Sequence, residues 1–322
     1  MNAGHVWLVV VQEFRIRLRT GRWRVLLGVW VGVLALFTFL VDSALHAGYS
    51  SGSDDGLRGV PLFGALMYFV LASMLVISPA LTAQSVNGDR ERGTLATLQV
   101  TRLRPGEIAV GKLLAGWSVG LVALLLSTPF AGYAVARGGL PLARIPVVYA
   151  VVALLIGSVC AISQALSALL TRTITSALLS YVVTAALTVG TVIAYGLGVA
   201  LAVGQRPQPS EGTVWWLLAP NPFVILADSA PRVPPQLNRQ GNVVYVDDYD
   251  PLSSVSRQLR ELRMPSRYFD GSGRALPSTA PERPLWPYGL GFLVLVGGAS
   301  LVVTSVRLRT PSDQLAPGVR VA

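Results

Sequence analysis

Six stretches of this chain are long, apolar and free of Asp, Glu, Lys, Arg and His, and they leave it few ways to fold. A helix needs about 20 predominantly apolar residues to cross a bilayer, because unpaired backbone amides are not tolerated in hydrocarbon. The stretch "VLLGVWVGVLALFTFLV" (25–41) lies between Arg24 and Asp42, and 61–86 follows Arg58. The others occupy 113–136, 145–171, 173–205 and 285–305. The first has a longer core than the roughly 7 to 15 apolar residues of a signal peptide, and "VDSALHAG" is a poor cleavage site, so it reads as a span. Only 13% of the 322 residues are charged, against roughly 25% in soluble domains. The expected fold class is an all-α polytopic membrane protein with six transmembrane helices.

Basic residues orient such a chain, since short cytoplasmic loops retain them. With the N-terminus inside, the inner segments hold Lys112 and thirteen arginines, whereas the two short outer loops hold only Arg58, Arg137 and Arg144. Both termini are therefore expected in the cytoplasm and the chain in the cell membrane. The long segment 205–284 carries nine arginines of its own, but long segments translocate largely regardless of charge. The expected plan is an interfacial helix at 1–24 and spans one to five within 25–204, with a cytoplasmic loop at 87–112. An extracellular segment at 205–284, the last span at 285–306 and a cytoplasmic tail at 307–322 complete it.

Ahead of the first span, Trp7, Val10, Val11, Phe14 and Leu18 fall on one arc of a helix, bordered by Arg15, Arg19 and Arg22 on one side and Arg17 and Arg24 on the other. Arginines beside an apolar stripe snorkel to headgroups while the stripe sinks. Residues 1–24 are predicted to form an amphipathic interfacial helix, with Phe14, Arg15, Leu18, Arg19, Arg22 and Trp23 at the membrane surface.

Several chemistries lack their residues. One cysteine, Cys160, and two distant histidines, His5 and His46, supply no local ligand set, so no metal site is expected. No Ser/His/Asp set or intramembrane carboxylate pair is present, so no catalytic residues are assigned. The spans contain no ionisable group, which leaves no relay for an ion gradient and moves the energy source elsewhere. Lys112 is the only lysine among 26 basic residues, a usage that points to a GC-rich bacterial genome of the actinobacterial kind. Small residues at four-residue spacing, Gly28 with Gly32 and Gly116 with Gly120, suit close helix contact.

Between spans two and three the chain reads "NGDRERGTLATLQVTRLRPGEIAVGKLLAG" (87–116), with eight charged residues from Asp89 to Lys112. Leu95 and Leu98 recur at helical spacing beside Thr94, Thr97 and Thr101 until Pro105 stops the pattern. Pro105 suits the first turn of a new helix and Glu107 its dipole, so the loop is predicted to be a short helix, a turn and a second helix entering the membrane past Lys112. "GEIAVGKL" (106–113) matches a phosphate-binding loop except that leucine replaces the magnesium-binding hydroxyl, and no strand precedes it. Nucleotide binding is not expected there.

"DRERGTLATLQVTRLRPGEIAVGKLLAG" resembles the cytoplasmic segment between the second and third spans of ABC type-2 export permeases. Glu91, Arg92, Gly93, Thr94, Leu95, Leu98, Thr101, Glu107, Gly111 and Lys112 fit that pattern. Ala96 stands where the family often has glutamate, and Arg102 where it often has proline. The likeness extends to the basic N-terminus, the six spans and "APNPFVILADSA" (219–230). It implies a coupling helix seated in a separate ABC ATP-binding subunit, with Asp89, Arg90, Glu91, Arg92, Gly93, Thr94, Leu95 and Leu98 as docking residues. It also implies two such subunits driving two permeases, as a homodimer or heterodimer, with ATP and Mg held by the partner and no cofactor in this chain. The expected activity is export of an amphipathic or lipid-like cargo, with lipid but no nucleic acid as a further partner. The alternative is a membrane scaffold or sensor that docks a soluble partner on the same hairpin without moving substrate.

In the segment before the last span, "TVWWLLAPNPFVILADSA" resembles interfacial or re-entrant helices, with Trp215 and Trp216 suited to the headgroup zone. "YVDDYDP" (245–251) lacks the glycine and terminal glutamate of a calcium loop and reads as a solvated acidic turn. "RQLRELR" (257–263) reads as a short polar helix.

Overall fold

Hydrocarbon-length apolar segments fold here as the backbone argument requires: among the described residues, six helices are long and apolar enough to cross a membrane. The computed structural model describes residues 2–18, 22–48, 58–93, 95, 103–203, 214–231, 236–237, 243–244, 255–256 and 284–309. Helix α1 is Ala3–Leu18, and the first span is α2, Arg22–Gly48. The second is α3, Gly59–Thr82, followed by the short α4, Asn87–Glu91. The third combines α5, Pro105–Leu125, with α6, Thr128–Ala136. Pro129 falls at the junction, where its missing N–H interrupts the helix ladder. The fourth span is α7, Ile145–Leu169. The fifth joins α8, Thr173–Ala185, to α9, Thr191–Val203, through a π-helical turn, Ala186–Gly190. A 3-10 turn, Trp215–Leu218, and α10, Pro222–Ser229, precede the last span, α11, Trp286–Arg307.

The fourth span is the centre of the bundle, packed against α3, α5, α8 and α11. Its Leu155 and Ile156 are wholly buried and join one core with Phe63, Met67 and Leu71 of the second span. Lipid tails are as apolar as leucine, so close van der Waals fit rather than expulsion from water holds these helices together. A Cβ on Gly116 would stand 2.5 Å from Thr82 Cγ2, and one on Gly120 2.6 Å from Ile156 Cγ2, so this pair does admit close neighbours. Gly28 and Gly32 differ: nothing lies within 4 Å of either position, because they sit on a span that turns most of its surface away from the chain. In their most apolar stretches, only 11% of the first span and 6% of the fifth are buried, against 50% of the fourth.

Two boundaries differ from the sequence reading. Residues 1–24 do not form one described element: α1 is Ala3–Leu18, and Arg22, Trp23 and Arg24 belong to the helix of the first span. Apolar character runs almost unbroken from Trp23 to Val41, so periodicity offers no boundary there. Within 205–284, a two-residue antiparallel ladder pairs Gln236 with Val244 and Leu237 with Val243. Helix α10 is buried and packs against α3, α7 and α11. "YVDDYDP" and "RQLRELR" lie outside the described residues.

Candidate partner-docking site

Charged residues that are expensive to bury gather where α1, α4 and the start of α5 meet. Pro105 is the first residue of α5, where its missing N–H costs nothing. Two residues on, the Glu107 carboxylate accepts from Arg104 N at 3.1 Å and from Asn2 N at 2.7 Å, and lies 3.0 Å from His5 Nδ1. It is 1% exposed. One carboxylate therefore caps α5 and captures the first turn of α1. One turn along α5, Gly111 lets the helices approach: a Cβ there would stand 2.6 Å from Val9 Cβ.

Lys112 follows. Its ammonium lies 2.7 Å from Glu13 Oε1 on α1 and also bonds the Asp89 carboxylate on α4, and its side chain is 1% exposed. Arg92 reaches Asp89 at 3.1 Å. The Lys112 ammonium thus has carboxylates from two different helices, and burying such a charge requires pairing of this kind. The segment that looks like a phosphate-binding loop thus forms the first turns of α5, with its lysine turned to carboxylates.

Helix α4 and the residues just before it reach two further spans. Ser167 Oγ of the fourth span accepts from Val86 N and Asn87 N at 3.2 and 3.1 Å. Arg90 reaches the carbonyl of Leu170, and Glu91 accepts from Thr173 N, the first residue of the fifth span, at 3.3 Å. Ser176 donates to Ala83 O at 2.8 Å, just before α4. Gly93 ends the element with φ 70, a left-handed conformation that a side chain would strain. One short helix is so bonded to the second, third, fourth and fifth spans and, through Lys112, to α1.

The predicted docking residues divide. Arg90, Glu91 and Arg92 are exposed. Asp89 points inward to Lys112, and Leu95, 7% exposed, packs with Val86 and Ile108, so these two side chains support the element rather than face a partner. Thr94 and Leu98 lie outside the described residues, as does Arg19. Of the predicted membrane-surface residues, Arg15 is exposed, Phe14 and Trp23 are half-buried, and Leu18 and Arg22 belong to α1 and α2.

Glu13, His5, Ser167 and Thr173 escaped the sequence reading. Their partners are 80 to 102 residues distant, as His5 to Glu107 and Asn87 to Ser167 illustrate, and no local pattern marks such pairs. The one available signal was the solitary lysine. A family model described as an ABC-2 family transporter protein matches residues 48–305. No curated protein matches the chain.

Proposed function

The chain belongs to the ABC-2 family of transporter proteins, and from that premise we propose that it is an export permease whose α4 element receives a separate ATP-binding subunit. A permease subunit of an ABC transporter needs a rigid contact between a soluble motor and its spans. The observation that carries this reading is that α4 is tied to the neighbouring spans and α1 through Asn87, Asp89 and Glu91 while the side chains of Arg90, Glu91 and Arg92 remain exposed. Force applied to that exposed edge is delivered to every helix bonded behind it. ATP and Mg bind in the partner subunit, and this chain supplies no catalytic group.

Two copies of the permease, or this one and a different permease, complete the assembly. The thinly covered first and fifth spans support that arrangement, since they leave faces of hydrocarbon length for another permease. The cargo is amphipathic or lipid-like, in keeping with spans that carry no ionisable group.

Charge reversal at the exposed edge tests the docking. An Arg90→Glu variant, which leaves Arg92 on Asp89, should keep its melting temperature nearly unchanged, because an exposed charge contributes only about 0–1 kcal/mol. It should lose most of its capture of the ATP-binding subunit on co-purification. Undiminished capture would return α4 to a purely structural role.

Orientation has its own test. In a Cys160→Ala background, a cysteine at position 210 should react with a membrane-impermeant reagent on intact cells, and one at 312 only after lysis. Labelling of position 312 in intact cells would reverse the topology and remove α4 from the cytoplasm.

A further inference from the structure

At the end of the bundle remote from α4, the fifth and last spans stand apart and leave a pocket between them. Glu91 bonds Thr173 at the start of the fifth span, and Leu308, just past the last span, shares a buried cluster with Val86, so both spans have their other ends far from α4. From Thr173 to Ala194 is about 30 Å of helix, at about 1.5 Å per residue. The pocket there has a volume of about 670 Å³, within the roughly 300–1,000 Å³ of small-ligand sites. Its walls include Ala186, Gly190 and Ala194 of the fifth span, Trp216 of the 3-10 turn, and Tyr288 and Phe292 of the last span. Local backbone geometry builds it. The π turn Ala186–Gly190 interrupts the regular ladder of the fifth span on one side. On the other, Gly289 brings the last span against Ala219 so closely that a Cβ there would collide with the Ala219 carbonyl.

The lining states what chemistry fits. Among the described residues that line the pocket none is charged. The Thr191 hydroxyl on its wall is already engaged, donating to Leu187 O at 3.0 Å and accepting from Asn221 Nδ2 at 2.8 Å. Two donors remain: the Trp216 indole N–H and the Tyr288 hydroxyl, on side chains 58% and 68% exposed, have no hydrogen-bond partner among the described residues. Around the mouth, Ile193 and Leu197 of the fifth span and Leu295 of the last expose most of their surface, so the pocket opens within a face turned to lipid. Water finds too few partners in such a lining, and an unfilled one forfeits van der Waals contact. Trp and Tyr suit the boundary of hydrocarbon and headgroups, which is where the esters of a lipid lie. We propose that the pocket takes one acyl chain of an ester-linked membrane lipid, with an ester carbonyl accepting from Trp216 and Tyr288. A helix of a second copy would offer these donors little, because its carbonyls are engaged in its own ladder. The site rests on the chain spanning a membrane and is independent of the docking of an ATP-binding subunit at α4. A chain seated there touches the π turn, the 3-10 turn and the last span together, and so braces the fifth span against the last at the end remote from α4.

Photocapture decides the matter in the full chain, reconstituted in phosphatidylcholine vesicles without a partner subunit. The probe is a phosphatidylcholine carrying a diazirine in one acyl chain, and mass spectrometry locates the crosslinks, which should fall at residues 186–194 and 288–292. The ether-linked form of the probe, which lacks the ester carbonyls, should need a mole fraction about fivefold higher for half-maximal labelling, the worth of one net hydrogen bond. Trp216→Phe with Tyr288→Phe should remove that difference. Ala194→Phe, which fills the pocket from the fifth span, should remove most of the labelling at 288–292, whereas Ile193→Phe, beside it but outside the pocket, should leave it unchanged. Equal capture of the ester and ether probes by the wild type overturns the proposal without recourse to any variant, as does labelling that Ala194→Phe leaves intact. Absence of label at 288–292, the result of a second copy or another segment of the chain filling the pocket, overturns it as well.

Discussion

Lys112→Met should lower the melting temperature of the chain sharply and separate ATP hydrolysis from substrate in the assembled transporter. Methionine keeps the length of the side chain and removes the cation, so Glu13 and Asp89, at 20% and 13% side-chain exposure, would both lose the ammonium they share. Removing one member of a buried charge network costs about 3–5 kcal/mol, most of it the penalty on the groups left behind. Neutralising them tests that assignment. A triple variant, Lys112→Met with Glu13→Gln and Asp89→Asn, should recover much of the lost stability, because an apolar and neutral replacement of a buried network is often nearly harmless. It should not recover the response of hydrolysis to substrate, since the tie from α4 to α1 and the third span stays cut. Thermal unfolding in detergent and hydrolysis in reconstituted complexes separate the two effects. A single variant that melts like wild type would mean that the network is not formed. A triple variant with full substrate response would make Lys112 a matter of stability alone.

The features that were legible in sequence are those set by one local rule. The spans follow from hydrocarbon thickness, and the start of α5 follows from Pro105 and Glu107. The docked face of α1 does not. Residues 6–11 read Val, Trp, Leu, Val, Val and Val, apolar on nearly every side, so helical period cannot choose among faces. The choice is made by Gly111 opposite Val9 and by Glu107 and Lys112 at the two ends, about 100 residues away. The division of the predicted docking residues is hidden for a similar reason: Asp89, Arg90, Glu91 and Arg92 are equally at home in water, and the buried Lys112 draws Asp89 inward. The π turn of the fifth span carries no mark in composition at all. Its neighbour is Asn221, whose Nδ2 donates to Thr188 O at 2.7 Å and to Thr191 Oγ1 at 2.8 Å from thirty or more residues later.

Asn221 leads to the second large effect, at the other end of α10. As the first cap, Asn221 Oδ1 accepts from Phe223 N at 2.9 Å while its amide holds the fifth span. At the far end Asp228, 3% exposed, accepts from Leu285 N and from Trp286 N at 2.9 Å, and from Ser256 Oγ at 3.1 Å. Its carboxylate thereby caps the first turn of the last span. Hydrogen bonds to a charged group contribute about 1.5–3 kcal/mol and a lost helix cap about 0.5–2, so Asp228→Ala should cost about 3 kcal/mol. Asn221→Ala should cost less, about 2 kcal/mol, because its amide and cap are uncharged. The double variant is the informative one. If α10 is a strut held at both ends between the fifth and sixth spans, releasing one end already frees the helix, and the second substitution should cost less than it does alone. Costs that simply add would mean that the two ends act independently, and that α10 transmits nothing between the spans it touches.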